Sequence, residues 1–272
     1  MANVQATSGE RFTSRPAAVA GSFYPAEAGQ LRNMVQDFLE AARTDEPPPK
    51  AMIVPHAGYV YSGPIAATAY ARLFNLHHPV RRVVLLGPAH RVGFYGIAAT
   101  SAGCFETPLG DVPVDVDAVA DVVRLPTVFI YDEAHLPEHS LEVHLPFLQL
   151  TLGDTFSLVP LVVGSATGDE VAEVIERLWG GDETLIVVSS DLSHYLDYET
   201  ARRTDAATMR AIAALDPEAI QPGQACGRVP IQGLLKVAKR HGLAAEVVDL
   251  RNSGDTAGPR NQVVGYGACI LR

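Results

Sequence analysis

The chain has 272 residues, is 47% hydrophobic and 19% charged, and carries a formal net charge of −10 at pH 7. This length allows one large domain with a complete hydrophobic core, and the acidic balance argues against binding to nucleic acid or to an anionic membrane surface. Three cysteines are too few for a disulfide framework, so we expect a reducing, cytoplasmic location.

The first half of the chain contains two clear helix patterns and two core strands. The N-terminal residues are polar and small, without a stretch of signal-peptide length, and we expect residues 1–14 to be disordered. "AEAGQLRNMVQDFLEAAR" has helical spacing of its apolar residues. A strand follows at 51–55, then a helix in "SGPIAATAYARLF" with Ser62 or Gly63 near its cap, and a second strand at 82–87. No apolar run approaches the roughly 20 residues of a membrane span.

Strands and helices alternate through the rest of the chain. "GIAATSAGCFETPLGDVPVD" predicts short strands in a small antiparallel excursion, and "PEHSLEVHLPFLQLTL" predicts a helix that contains Pro146. Further strands are expected in "FSLVPLVVG", "ETLIVVSS", "LAAEVVDLRN" and "QVVGYGACIL", and further helices in "DVDAVADVVR", "GDEVAEVIERLWG", "DYETARRTDAATMRAIAAL" and "VPIQGLLKVAKRHG". This alternation is typical of an α/β fold with a mixed, mostly parallel central sheet and helices on both faces. Without a long linker, residues 1–272 are predicted to form a single domain.

Polar side chains follow three of the predicted buried strands. His56 comes after the first strand, His90 after the second, and Asp191 and His194 after "ETLIVVSS". In open α/β sheets, ligands bind outside the carboxyl ends of the strands, so these residues are predicted to share one site. Taken singly, each histidine also fits an ordinary loop position, and Asp191 also fits a helix cap that leaves His194 exposed.

The stretch "PEHSLEVHLP" contains a second group of polar residues. His139 and His144 are five apart, which is about 140° of rotation on a helix, so they do not share a face. The pattern H-x-x-E-x-H is one residue longer than the inverted zinc motif, which argues against a metalloprotease. We predict that His139, Glu142 and His144 lie beside the site and orient its imidazoles. The alternative is a solvated helix face.

Cys226 differs from the other two cysteines in its surroundings. It lies between alanine and glycine in "ACGRVPIQG", and the charge of Arg228 is expected to lower the pKa of its thiol. Cys104 and Cys269 are expected to be inert core residues. The serines of "VVSSD" lack the G-x-S-x-G surroundings of a hydrolase nucleophile.

Seven motifs occur in an order that resembles the Memo family, whose bacterial and archaeal members are often labelled AmmeMemoRadiSam system protein B. They are "AGSFYP", "PHAGYVYSG", "LLGPAH", "TPLGDVPVD", "EHSLEVHLPFL", "VVSSDLSHY" and "CGRVPI", and they cover the chain from about residue 15 to its end. That family is similar in fold to the class III extradiol ring-cleaving dioxygenases, which are non-haem iron enzymes. The resemblance implies a metal site made by His56, His90 and Cys226, with Asp191 and His194 beside it in catalytic roles.

The third ligand differs from that of the dioxygenases, which complete their iron triad with a glutamate. Two histidines and a thiolate suit iron or copper, and zinc also fits this set. A thiolate beside iron and oxygen is itself oxidisable, which weakens the case for ring cleavage. The resemblance therefore implies a metal-dependent redox protein acting on an unknown small molecule. Whether it is an enzyme stays open.

Two other functions stay open beside this one. The first is an extradiol-type dioxygenase acting on a catechol-like aromatic, and the second is a non-enzymatic adaptor that binds a ligand or a phosphopeptide. The resemblance also implies a radical-SAM protein and an AMMECR-type protein as pathway partners, because their genes often accompany those of the family in prokaryotes.

Overall fold

The structure is a computed structural model that describes residues 13–272. The disorder predicted for residues 1–14 therefore concerns a segment that lies, except for Thr13 and Ser14, outside the described residues. These two contact the rest of the protein, since Thr13 O accepts a hydrogen bond from Gly103 N and the Ser14 hydroxyl bonds the carboxylate of Glu106. Within 13–272, no helix is both long and apolar enough to cross a membrane.

The fold is α/β, as predicted. The strands are β1 Ala51–Val54, β2 Arg82–Pro88, β3 Ile97–Ala99, β4 Cys104–Phe105, β5 Val112–Pro113, β6 Val128–Ile130, β7 Ser157–Val163, β8 Thr184–Ser189, β9 His194–Leu196, β10 Ala245–Asn252 and β11 Val263–Leu271. The α-helices are α1 Ala28–Ala41, α2 Tyr59–Tyr70, α3 Val116–Val122, α4 Asp132–His135, α5 Leu145–Leu152, α6 Gly168–Arg177, α7 Tyr198–Ala213, α8 Arg228–Arg240 and α9 Ser253–Thr256, and short 3-10 helices cover Ala71–Asn75, Glu142–His144 and Pro217–Ala219.

The central sheet is mixed, with a parallel centre. Its order is β10-β11-β1-β8-β2-β7-β3-β6, and β9 pairs with β11 off this path. The neighbours β1, β8, β2 and β7 run parallel, whereas β11 pairs antiparallel with β1 and β10, and β3 with β7. The predicted antiparallel excursion is confirmed for β4 and β5, which pair with each other, while β3 joins the main sheet.

The parallel strands are buried along nearly their whole length because helices cover them. α2 packs against β1, α8 against β2 and β8, and α3 against β7. α2 and α7 also pack against the antiparallel strands β10 and β11. Strands that are covered on both faces are continuous runs of apolar residues, as "AMIV" and "VVLL" are here. The register brings the carboxyl ends of β1 and β8 side by side, since Val54 pairs with Ser189. This edge of the sheet is where the polar loops leave the core.

The predicted helix in "PEHSLEVHLPFLQLTL" is wrong in its first half. α4 ends at His135, residues 136–141 form turns, and a 3-10 turn leads into α5. Pro137 ends α4 because it has no N–H to donate to the carbonyl four residues earlier, while Leu136 before it keeps helical angles. The N–H groups of His139 and Ser140 then donate to the carboxylate of Glu138 instead of to helical carbonyls. Pro146 lies in the first turn of α5, where no intrahelical N–H is lost. The start of α2 also differs, because its N-cap is Gly58 rather than Ser62 or Gly63.

Candidate metal centre

Three imidazoles converge at the carboxyl ends of the parallel strands. His56, His90 and His139 bring one ligand nitrogen each within 4.8 Å of the others, and across residues 13–272 this is the one such group of three or more His, Cys, Asp or Glu side chains. The ring centroids are 4.7–5.5 Å apart. Sequence reasoning had grouped the first two as metal ligands and had given His139 an orienting role. Its nitrogen instead lies within the group.

The tautomer of His56 follows from the hydrogen bonds of Ser189. The Ser189 hydroxyl lies 2.6 Å from His56 Nδ1, 2.8 Å from His144 Nε2 and 2.5 Å from the backbone oxygen of Ser140. A carbonyl oxygen only accepts, so the single hydroxyl proton goes to Ser140 O and both imidazoles donate to the serine oxygen. His56 therefore carries its proton on Nδ1. Its Nε2 keeps a lone pair that can bind a cation.

His144 lies behind His56 and has no nitrogen left for a ligand. Its Nε2 donates to Ser189, and its Nδ1 accepts from the hydroxyl of Tyr70 at 2.9 Å. Burial lowers the pKa of His144 to about 3, so the ring is neutral. It contacts His56 through Ser189 and in this way helps to fix the orientation of that ring.

Glu138 performs the same task for His90. Its carboxylate accepts from His90 Nδ1 at 3.0 Å and from the His90 backbone N–H at 2.6 Å, and also from the N–H groups of His139 and Ser140. Burial by itself would raise the pKa of Glu138, but these hydrogen bonds hold it at about 2. The carboxylate thus keeps a proton on His90 Nδ1 and leaves Nε2 available. This role of Glu138 was not predicted from the sequence.

The cluster meets the requirements of a metal site in two further respects. Burial, as the largest cause, holds the pKa of His56 well below its usual range and lowers that of His139 to about 4, so both rings are neutral, as ligands must be. The Nδ1 atom of His139 is buried and lies 3.3 Å from Glu138 Oε1, but it forms no hydrogen bond with any described residue, which is rare unless a further group satisfies it. The ring itself packs on Phe23, with centroids 4.7 Å apart. These donors fit a divalent transition metal.

Cys226 lies next to His56, outside the group of three. Its Sγ is 3.5 Å from His56 Nε2, and it accepts the backbone N–H of Asp191 at 3.3 Å. The expectation that Arg228 lowers the pKa of this thiol is wrong, because burial, followed by the charge of Asp191, raises it to about 12. Arg228 instead reaches Gln232 of its own helix. A bound cation would reverse this balance, since a coordinating thiol loses its proton.

The other two cysteines differ in burial. Cys269 is fully buried in β11, as expected. Cys104 is only partly buried, so the expectation of a core position is wrong for it. Its two-residue strand pairs with β5 and forms one isolated bridge with Arg15.

Asp191 lies directly beside the cluster, and His194 begins the neighbouring strand β9. One carboxylate oxygen of Asp191 accepts the backbone N–H of His56 at 2.8 Å, and the other is 4.0 Å from His56 Nε2. Burial raises the pKa of Asp191 to about 7. His194 donates from Nδ1 to Leu192 O at 2.8 Å, because a carbonyl cannot donate. Its Nε2 therefore carries a lone pair.

Glu142 has different partners from those expected. Its carboxylate pairs with the guanidinium of Arg15 and accepts from the N–H groups of Ala18 and Val19 and from the hydroxyl of Tyr24. It is fully buried, so the alternative of a solvated face is also wrong. Glu142 fixes the segment that precedes α1 rather than an imidazole. This pairing spans more than 100 residues of sequence, and no local pattern predicts it.

The comparison with known families decides the relationship. A family model described as "Memo-like protein" matches residues 15–270. The chain belongs to the Memo family. The matched range contains every candidate site residue of this Memo protein, from His56 to Cys226.

Several relatives are similar over nearly their whole length. A "MEMO1 family protein" of Aeropyrum pernix is 39% identical over 278 residues, covering 93% of this chain and 98% of its own. Those of Aquifex aeolicus and Sulfolobus acidocaldarius are 38% and 36% identical, covering 94% and 92% of this chain and 98% and 96% of their own. The predicted resemblance to the Memo family is therefore confirmed along the chain.

Proposed function

We propose that this Memo-family protein is a metal-dependent redox protein with an iron or copper centre and a small-molecule substrate. The observation that carries the proposal is the convergence of three imidazoles, of which His90 is exposed, with the Nδ1–H groups of His56 and His90 held by Ser189 and Glu138. We assign metal ligation to Nε2 of His56 and Nε2 of His90, with the thiolate of Cys226 as the third ligand. His139 supplies a further nitrogen at the same place.

The role of the metal would be to exchange electrons with the bound substrate. The protein's own groups would position the substrate and move protons. Asp191, with a pKa of about 7, can take or give a proton at its second oxygen near neutral pH. His194 can accept one at Nε2. Asp191 accepts the backbone N–H of His56, and burial of His56 and Asp191 limits the access of water.

The test is metal quantification on anaerobically purified protein after dialysis. We expect about one iron or copper ion per chain in the wild type and a large loss in His90→Ala. His78→Ala is the matched control, because His78 is exposed and distant from the cluster. A change in the metal's spectrum on adding a reductant would show that it is redox-active. Equal metal content in the wild type and His90→Ala would contradict the proposal, as would a preparation that retains zinc alone.

The two alternative functions are separated by the same preparation. An extradiol-type dioxygenase would convert catechols to coloured ring-opened products when air is admitted to the iron-loaded protein. An adaptor would bind a phosphopeptide, and the spectrum of any metal it holds would not change on adding a reductant. The cytoplasmic location and the radical-SAM and AMMECR-type partners stay proposals. Co-purification of either partner with the tagged protein would support the partnership.

A further inference from the structure

We propose that the cavity beside the metal centre binds a small organic anion, with a carboxylate or phosphate on an apolar body, and that Arg91 recognises its charge. This inference rests on the proposed function in one respect, since it names the class of molecule that would reach the metal. The binding itself depends on the cavity and not on the metal.

The cavity has a volume of about 360 Å³ and lies between the loop after β2, the end of β7 and the start of α8. His90 and Cys226 line its wall, so a molecule inside it would lie against two of the proposed metal ligands. Arg91, Phe94, Val163, Val229 and Pro230 also line it. Sites for small molecules commonly combine apolar walls with a few polar groups in this way.

The charge of this cavity is opposite to that of the whole protein. The chain carries a net charge of −10, yet no aspartate or glutamate among the described residues lines the cavity. Arg91 is exposed at its wall and forms no ion pair with any carboxylate within residues 13–272. A guanidinium binds carboxylate or phosphate in a bidentate manner. The cavity therefore offers an arginine to an incoming anion without a competing acid in its lining.

The start of α8 adds to the same preference. Cys226, Val229 and Pro230 line the cavity and flank or form the first turn of this 13-residue helix. The first turn contains no acidic residue, while the N–H of its N-cap Gly227 donates to the Ser190 hydroxyl. The N-terminal end of a helix carries partial positive charge, so it also favours an anion.

Apolar walls determine the rest of the ligand. Phe94, Val163, Val229 and Pro230 present carbon surface to the cavity. A fully polar anion such as free phosphate would leave these walls unused, whereas an anion with a ring or an aliphatic body would cover them. The expected ligand therefore has a charged end at Arg91 and an apolar part against these walls.

Calorimetry on the full chain tests the inference with benzoate, phenyl phosphate and benzyl alcohol as probes. Benzyl alcohol has the same ring without a charge. We expect at least one of the two anions to bind about tenfold more tightly than the alcohol, and Arg91→Gln to abolish the difference, since a hydrogen bond to a charged group contributes about that much. Arg32→Gln is the matched control, because Arg32 is an exposed arginine of α1 that lines no part of this cavity.

Each titration is done on metal-loaded and on chelator-treated protein. An anion preference that depends on Arg91 in both states supports the inference, even where the dialysis experiment shows that no metal is held. The inference is overturned by equal affinity of wild-type protein for the alcohol and both anions. It is also overturned by a preference that persists in Arg91→Gln or that disappears with the metal, because the metal would then hold the anion. If Arg91→Gln unfolds in urea at the same midpoint as the wild type, its loss of anion preference is not caused by misfolding.

Discussion

Replacement of Ser189 by alanine is the most informative single change at the site. The serine oxygen is shared by His56 Nδ1, His144 Nε2 and Ser140 O, and all three partners are buried. Ser189→Ala removes the acceptor that fixes the proton of His56 on Nδ1. The ring can then carry its proton on Nε2, the nitrogen that we assign to the metal.

The expected magnitudes follow from this shared hydrogen-bond geometry. A buried polar group without a partner costs about 1–3 kcal/mol, and Ser189→Ala leaves three such groups. Allowing for partial relaxation, we expect the free energy of unfolding to fall by about 3 kcal/mol. Loss of a group that orients a metal-bound histidine reduces metal affinity by about 10–100-fold. We expect a change of that size in the Kd for the metal.

Two measurements separate stability from metal binding. Urea unfolding of the chelator-treated protein gives the loss of stability, and titration with Co²⁺ followed by absorption gives the change in Kd. The control is Thr208→Ala, which removes a buried hydroxyl that bonds Thr204 O within α7. It is expected to lower stability and to leave the Kd unchanged. A wild-type Kd for Co²⁺ in Ser189→Ala would refute the reasoning about the tautomer.

Three further changes test the fold around the site. Gly265→Ala would place a methyl group 1.9 Å from Asp205 Oδ2, and the free energy of unfolding in urea should fall by about 1–3 kcal/mol. The control is Gly93→Ala, whose methyl group would meet no described atom within 4 Å. Equal stability of the two variants would contradict the expectation. Burial raises the pKa of Asp205 to about 6, so its folded state binds the proton more tightly than the unfolded state, and its contribution to stability is lost as the pH rises from about 4 to 6. Relative to the wild type, Asp205→Asn should therefore become more stable by about 2 kcal/mol over that interval, whereas parallel pH profiles would show that Asp205 titrates normally. Tyr195 is 70% exposed with a φ of 59°, and Tyr195→Asn should raise the free energy of unfolding by about 0.5–1 kcal/mol; an unchanged midpoint in urea would show that the wild-type backbone is unstrained.

The sheet was predictable because its parallel strands are continuous apolar runs bounded by glycine, proline and polar residues. The same property predicts where the polar loops meet, since the carboxyl ends of parallel strands lie at one edge. His56 and Asp191 follow β1 and β8, which are neighbours in the sheet, and the backbone N–H of His56 donates to the Asp191 carboxylate. The shared direction of the two strands is enough to predict that His56 and Asp191 lie at the same edge of the sheet, without knowledge of the strand order.

The parts that were missed depend on contacts between distant segments. Glu138 and His139 were assigned to one regular helix, whereas Pro137 precedes them and the chain turns there. A proline at this position is a sequence signal for the end of a helix. Ser189 is different, because its role depends on three groups that meet only in the folded protein. No spacing in the sequence predicts that one hydroxyl fixes an imidazole.

The most direct test of the central claim is a crystal structure of the metal-loaded protein with anomalous scattering recorded at the metal's absorption edge. We predict a single strong peak about 2.0–2.3 Å from His56 Nε2 and His90 Nε2, with the sulfur of Cys226 as the third ligand. No peak at this cluster, or a metal that leaves either of these two histidines uncoordinated, would contradict the account.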